Sequence, residues 1–352
     1  MGELKLGYNT GYWSPVGPPH GVEDSVAEAD RLGLHSIWSA ESYGSDAISP
    51  LAWWGGSTKN VRLGTSIIQL SARTPAMTAM TAMTLDHLSG GRFICGLGVS
   101  GPQVVEGWYG QSFRKPLART REYVAIMRDI WAREGPVTAD GPQLPLPYVG
   151  GDGRPEPTGL GKSIKSNLRP YRDDIPVYLG AEGPKNIALA AEICDGWLPL
   201  FYSPSHEDFY RESLDAGFAV EGARHTRETF EVCATVPFIV TDDVEGAADF
   251  LRPMYALYFG GMGAKGTNFH ADVAIRMGYE AEVEQITDLY LEGRKDEAAA
   301  LVPTKLVEQL ALIGPKDKLR HDLEAWKDSQ VTTLLIGGDV GTVRTAAELV
   351  LG

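Results

Sequence analysis

Short apolar runs alternate with helix-length amphipathic stretches along most of this chain. The runs that read as strands are LKLGYN (4–9), SIWSAE (36–41), RLGTSIIQL (62–70), RFICGLG (92–98), IPVYLGA (175–181), GWLPLF (196–201), FEVCATVPFIVT (230–241) and VTTLLIGG (331–338). Strands separated by helices form βα units and a parallel sheet. Eight such strands predict an α/β fold of the (β/α)8 TIM barrel type rather than an open dinucleotide-binding sheet. No GxGxxG opens a helix near the N-terminus, and GLGVSG (96–101) is only a near miss.

The helical stretches carry their own signals. GVEDSVAEADRLGL (21–34) sets Val22, Val26, Ala29 and Leu32 on one face. TPAMTAMTAMTLDHLSGG (74–91) opens on Thr-Pro and closes on Gly-Gly, the start and stop expected of a helix. Its Met77, Met80 and Met83 recur every third residue and are expected to fill core. Two segments break the rhythm. Residues 134–174 are rich in Pro and Gly and predict a long insertion loop, and 243–300 predict a helical insertion after the seventh strand, within one barrel domain spanning 1–352.

The chain is acidic, with 32 Lys+Arg against 46 Asp+Glu and a net charge of -14, which argues against a nucleic-acid or anionic-membrane partner. Cys95, Cys194 and Cys233 lie in apolar segments and form no CxxC pair, so buried reduced thiols are expected. The N-terminus shows no basic stretch followed by an apolar one, and no run approaches the ~20 apolar residues of a membrane span. These features predict a cytoplasmic protein.

In a barrel of this kind, chemistry sits at the C-terminal ends of the strands. That places Asn9 and Tyr12, Glu41, Ser42 and Tyr43, Ser66 to Gln69, Val99, Ser100 and Gly101, Gly180 to Pro184, Asp195, Trp197 and residues 337–339 as candidates. GAEGPKN (180–186) hands a strand to a helix with two glycines and a proline. It reads either as a tight turn or as an anion site built on free helix-start N–H groups, with Lys185 nearby. The run at 160–172 holds Lys162, Lys165, Arg169 and Arg172 without an acid, and is either a solvated loop or a clamp for an acidic ligand tail. Glu41 and Glu106 make a poor glycosidase pair, and the seven histidines show no metal-binding spacing, so no metal is expected. Trp13, Trp53, Trp54 and Trp108 near the barrel mouth suggest an apolar or planar substrate.

Several segments together resemble the luciferase-like superfamily, in particular its coenzyme F420-dependent oxidoreductases. YLGAEGPKNIALAAEICDGWL is similar to the phosphate-turn segment of methylenetetrahydromethanopterin reductases and F420-dependent glucose-6-phosphate dehydrogenases. RLGTSIIQLSARTPAMTAMTAMTLDHLSGGRFICGLGVSG resembles the superfamily's third strand, following helix and fourth strand, with LDHLSGGRFICGLG its most specific run. The resemblance implies a (β/α)8 barrel with insertions, assembled as a homodimer, with coenzyme F420 as cofactor and hydride transfer to a small organic substrate as its chemistry. It implies a non-proline cis peptide at Ser66–Ile67 pressed against the deazaflavin ring. It also implies that Val99, Ser100 and Gly101 border the ring, that Gly180, Ala181, Glu182, Gly183 and Pro184 surround the phosphate, and that the 160–172 run meets the polyglutamate tail.

Where the resembling sugar-phosphate dehydrogenases carry Asp-His after the second strand, this chain has Glu41 and Ser42, and their acid after the fourth strand falls at Gly101-Pro102. Glucose 6-phosphate is therefore not the expected substrate, and Glu41 and Ser42 are the catalytic candidates, Glu41 either acting near the ring or tied into the barrel rim. Two alternatives stand beside this reading: an FMN-dependent monooxygenase and a non-catalytic F420-binding protein.

Overall fold

The computed structural model describes residues 3–151, 153–263 and 268–352. Residues 1–2, 152 and 264–267, which fall in the N-terminal stretch and the two expected insertions, lie outside the described residues. The strands are β1 Lys5–Asn9, β2 Ser36–Ser39, β3 Arg62–Thr65, β4 Ile68–Gln69, β5 Phe93–Gly98, β6 Val177–Gly180, β7 Gly196–Leu198, β8 Glu231–Thr235, β9 Phe238–Val240, β10 Leu312–Gly314 and β11 Thr333–Ile336. The helices are α1 Val22–Leu32, α2 Ile48–Gly55, α3 Pro75–Ser89, α4 Pro102–Gly107, α5 Pro116–Ala132, α6 Pro184–Ile193, α7 Glu207–Phe218, α8 Val244–Ala256, α9 Phe269–Arg276, α10 Glu280–Leu291, α11 Lys295–Ala300, α12 Thr304–Leu310, α13 Lys316–Lys327 and α14 Val340–Leu351.

Parallel pairing runs β3-β2-β1-β11-β8-β7-β6-β5 and closes through β3–β5, where Leu63 faces Phe93 and Gly64 faces Ile94. This is the closed (β/α)8 barrel that the strand count predicts. Two predicted strands are interrupted. The 62–70 run breaks at a cis Ser66–Ile67 peptide, after which β4 pairs with β5 alone. The 230–241 run divides into β8, in the barrel, and β9, which leaves it to pair with β10. The pattern of TKLVEQLALIG (304–314) predicts helix throughout, yet its last three residues form β10, because LIG is too short to establish a period of its own.

Large side chains fill the barrel: Trp38, Ile94, Tyr178, Leu198, Cys233 and Leu335 are all sealed from solvent. Gly64 makes room for them, since a Cβ there would lie 2.3 Å from the Trp38 ring. At the N-terminal end Arg62 donates to Glu231 (2.9 Å) and to the Tyr178 hydroxyl (3.2 Å), closing the base with charge. A second apolar cluster, including Leu251, Tyr255, Phe259, Ile286 and Val307, joins α8–α12 into a helical layer.

The methionine stripe of α3 does not pack as expected. Met83 is buried, but Met77 and Met80 are about half exposed. Steps of three residues drift around a 3.6-residue helix, and the face that packs instead carries Ala79, Ala82, Met83 and Asp86. All three cysteines are free and buried.

Candidate active site

A cleft of about 610 Å³ opens between the C-terminal ends of the barrel strands and the helical layer. From the barrel it receives Tyr12, Glu41, Ser42, Tyr43, Ser66, Ile67, Gln69, the segment 98–101, residues 180–186, Leu198 to Leu200 and Thr235. Every residue that the sequence places at the ring, the phosphate or the catalytic position lies in this one wall. The sequence reading missed the opposite wall. Tyr258, Gly261, Met262, Phe269 and His270 come from the helical layer, Phe113 from the approach to α5, and Pro116 and Leu117 from its first turn. Only contact across the fold reveals them, because no local pattern distinguishes them from core.

The floor is Ile67. A Cβ on Gly98 would lie 2.6 Å from Ile67 Cδ1, and one on Gly180 would lie 3.1 Å from its Cγ2. Two glycines on adjacent strands, in register with each other, thus form the groove in which Ile67 is seated. Above it Ser100 takes a positive φ of 57° before α4.

Glu41 is buried, and each of its acceptor oxygens is engaged. Oε1 accepts from Arg73 (2.5 Å) and from the Gln69 N–H (2.9 Å), and Oε2 accepts from the Ala47 N–H (3.1 Å). The Gln69 amide donates to the Ser42 carbonyl (2.8 Å), so its orientation is set and Oε1 is buried without a partner among the described residues. Asn186 Oδ1 is likewise buried without a partner among the described residues. Unpaired buried acceptors are rare in folded proteins.

At the far end Gly183 caps α6 in extended conformation, with no side-chain cap and Pro184 as first helical residue. A Cβ at Gly183 would meet nothing within 4 Å, so the helix start faces open space beside Lys185. Burial pushes the Glu182 carboxyl up to about 8, partly countered by the N–H groups of Leu200 and Phe201 and by Arg276. Burial also pushes His270 down to about 4.

Several sequence candidates lie elsewhere. Asp195 precedes β7 rather than following it, so it sits at the barrel base, where it accepts from Arg128 (2.9 Å) and the Val177 N–H (2.7 Å). Trp197 points into the core, and residues 337–339 cap α14 or accept from Tyr8. None of Trp13, Trp53, Trp54 and Trp108 lines the cleft. The basic run also binds at the base. Arg172 donates to the fully buried Asp86 (2.5 Å) and to the Phe93 carbonyl (2.7 Å), and His87 donates to the Arg169 carbonyl (2.7 Å). Phe93 begins β5, so this loop is at the opposite end of the barrel from the cleft. Among the described residues there is no cluster able to hold a metal ion, and no helix is long and apolar enough to cross a membrane.

A closed parallel barrel with its cleft beneath a helical layer matches a known family. The family model for luciferase-like monooxygenases fits residues 6–333, and the chain belongs to that family. Among its relatives is a Mycobacterium tuberculosis protein carrying the provisional name coenzyme F420-dependent oxidoreductase, 56% identical over 99% of both chains. The 5,10-methylenetetrahydromethanopterin reductase of Archaeoglobus fulgidus is 26% identical over 91% of this chain and 90% of its own. In fold, the chain resembles the coenzyme F420-dependent tetrahydromethanopterin reductase of Methanopyrus kandleri, with a TM-score of 0.80, 21% identity and 99% of both chains covered.

Proposed function

We propose that this protein is an F420-dependent oxidoreductase that moves a hydride between the deazaflavin and a small organic substrate, working as a homodimer. The observation that carries the reading is the single cleft joining the Ile67 floor to the open start of α6. A flat ring system fits over Ile67 between Gly98 and Gly180, and a phosphate fits the N–H groups of Gly183 and Lys185 and the Lys185 side chain. When bound, the deazaflavin supplies two-electron hydride chemistry, with a proton exchanged with water. The protein's own residues bind, orient and exclude solvent. Ile67 supports the ring face, and the helical layer covers the opening. Glu41, bound to three donors, shapes the rim and holds Ser42 and Gln69 in place.

Titration of the purified protein with F420 and separately with FMN, followed by intrinsic tryptophan fluorescence, tests this. Tight F420 binding is expected, and Gly183→Asp should abolish it. Aspartate is a favourable helix cap, so that variant keeps its fold while placing a carboxylate where the phosphate belongs. Preference for FMN would move the protein to the monooxygenase branch, and F420 binding without turnover would leave a carrier.

A further inference from the structure

The helical layer brings one imidazole to the cleft. His270 lies in the first turn of α9, and its ring stands edge-on to Phe201 (5.7 Å between centroids) and Tyr258 (4.9 Å), both at 87°. Nδ1 is sealed from solvent and has no partner among the described residues. His270 lines the cleft, and Nδ1 is the ring nitrogen found sealed without a partner, which leaves Nε2 to face the cleft. A buried N–H without an acceptor is rarer than a buried lone pair without a donor, so the ring proton belongs on Nε2. Burial alone lowers the basicity of this histidine, with no charged group contributing. The ring is therefore neutral at pH 7 and holds a single proton directed at the cleft.

The surrounding wall limits what it can meet. The cleft is lined by the apolar Val104, Phe113, Leu117, Leu200, Met262 and Phe269, together with Tyr12, Tyr43, Tyr258, Gln103 and Glu182. Lys185, on α6, is the one cationic side chain in that wall among the described residues. Among the described residues, nothing in that lining beside Lys185 pairs a carboxylate or phosphate, whereas a neutral N–H set between aromatic rings suits an uncharged oxygen. We propose that His270 is a substrate-contact residue whose Nε2–H donates to the oxygen of an uncharged, apolar carbonyl compound or its matching alcohol. This rests on the F420 reading above. His270 keeps its proton throughout: it holds the oxygen in place and stabilises negative charge developing there.

Two measurements test it. Imidazole nitrogen NMR of the protein without cofactor should show the Nε2–H tautomer at pH 7; an Nδ1–H tautomer or an imidazolium would overturn the proposal. With reduced F420, the wild type should reduce cyclohexanone and 2-octanone. His270→Phe should bind F420 as the wild type does, yet lose about tenfold in kcat/KM for both ketones, the worth of one neutral hydrogen bond. His270→Gln, whose amide reaches the Nε2 position, should recover most of that loss, and His270→Asn should not. No F420 binding by the wild type would overturn the cofactor reading and this inference together. Tight F420 binding without reduction of either ketone, or with His270→Phe equal to wild type, would overturn this inference alone.

Discussion

Replacing Gly98 with alanine tests the floor of the cleft directly. The new Cβ would lie 2.6 Å from Ile67 Cδ1 and 2.8 Å from Cγ1, against the roughly 3.5–4.0 Å of a comfortable carbon contact. One partner must move by roughly 1 Å. The strand is poorly able to do so, because Gly98 is paired with Gln69 on one side and Gly180 on the other. Ile67 must therefore rise into the space assigned to the ring. Overpacking of this kind costs about 1–3 kcal/mol, so the urea midpoint should fall accordingly. F420 affinity should fall by at least about tenfold if the cost of restoring the floor exceeds ~1.4 kcal/mol. Combining Gly98→Ala with Ile67→Ala removes the clashing atoms, so the double variant should be more stable than the sum of the two single effects predicts. Equilibrium urea unfolding of all four proteins, together with F420 titrations, gives the answer. A Gly98→Ala protein as stable and as tightly binding as wild type, or strict additivity in the double variant, would refute the argument.

Other consequences can be checked alongside. Glu182 has a folded pKa of about 8 against 4.5, so it takes up a proton on folding between those values. Its contribution is complete below about pH 4.5 and is lost as pH rises through 8. Glu182→Gln should accordingly gain in melting temperature over wild type from pH 7 to 9 and converge with it near pH 5; the reverse trend would sink the assignment. Glu41→Gln leaves Arg73 without its buried partner and should destabilise by about 3 kcal/mol. If it instead unfolds like wild type but loses turnover, Glu41 is a reacting group and not a strut. Arg172→Ala strands the buried Asp86 and should also cost about 3 kcal/mol, while leaving F420 affinity unchanged even for long polyglutamate tails. A selective loss of long-tail affinity would restore the clamp reading.

The run LDHLSGGRFICGLG shows how far local sequence reaches. Its glycines end α3, with Gly90 in left-handed conformation, and its apolar residues make β5 sealed throughout. Both follow from neighbours in the chain. The role of Asp86 does not, since its partner Arg172 is 86 residues away and its acidity toward a basic loop reads as nothing until the two meet. The same holds at Ser66–Ile67: the resemblance anticipates the break in the strand, while the seating of Ile67 on Gly98 and Gly180 exists only once three strands are aligned.

The eight strands of the barrel and their alternation with helices were determined by the chain alone, because periodicity and turn residues act over a few neighbours. Glu41, Ser66, Gly101 and Gly183 were all legible for that reason. The barrel end facing the basic loop, the cleft wall supplied by Tyr258, Phe269 and His270, and the engagement of Glu41 by Arg73 were decided by tertiary structure. Each depends on which distant surfaces meet. Burial and hydrogen bonding between such surfaces set a side chain's charge and freedom, and neither is encoded in the residues beside it.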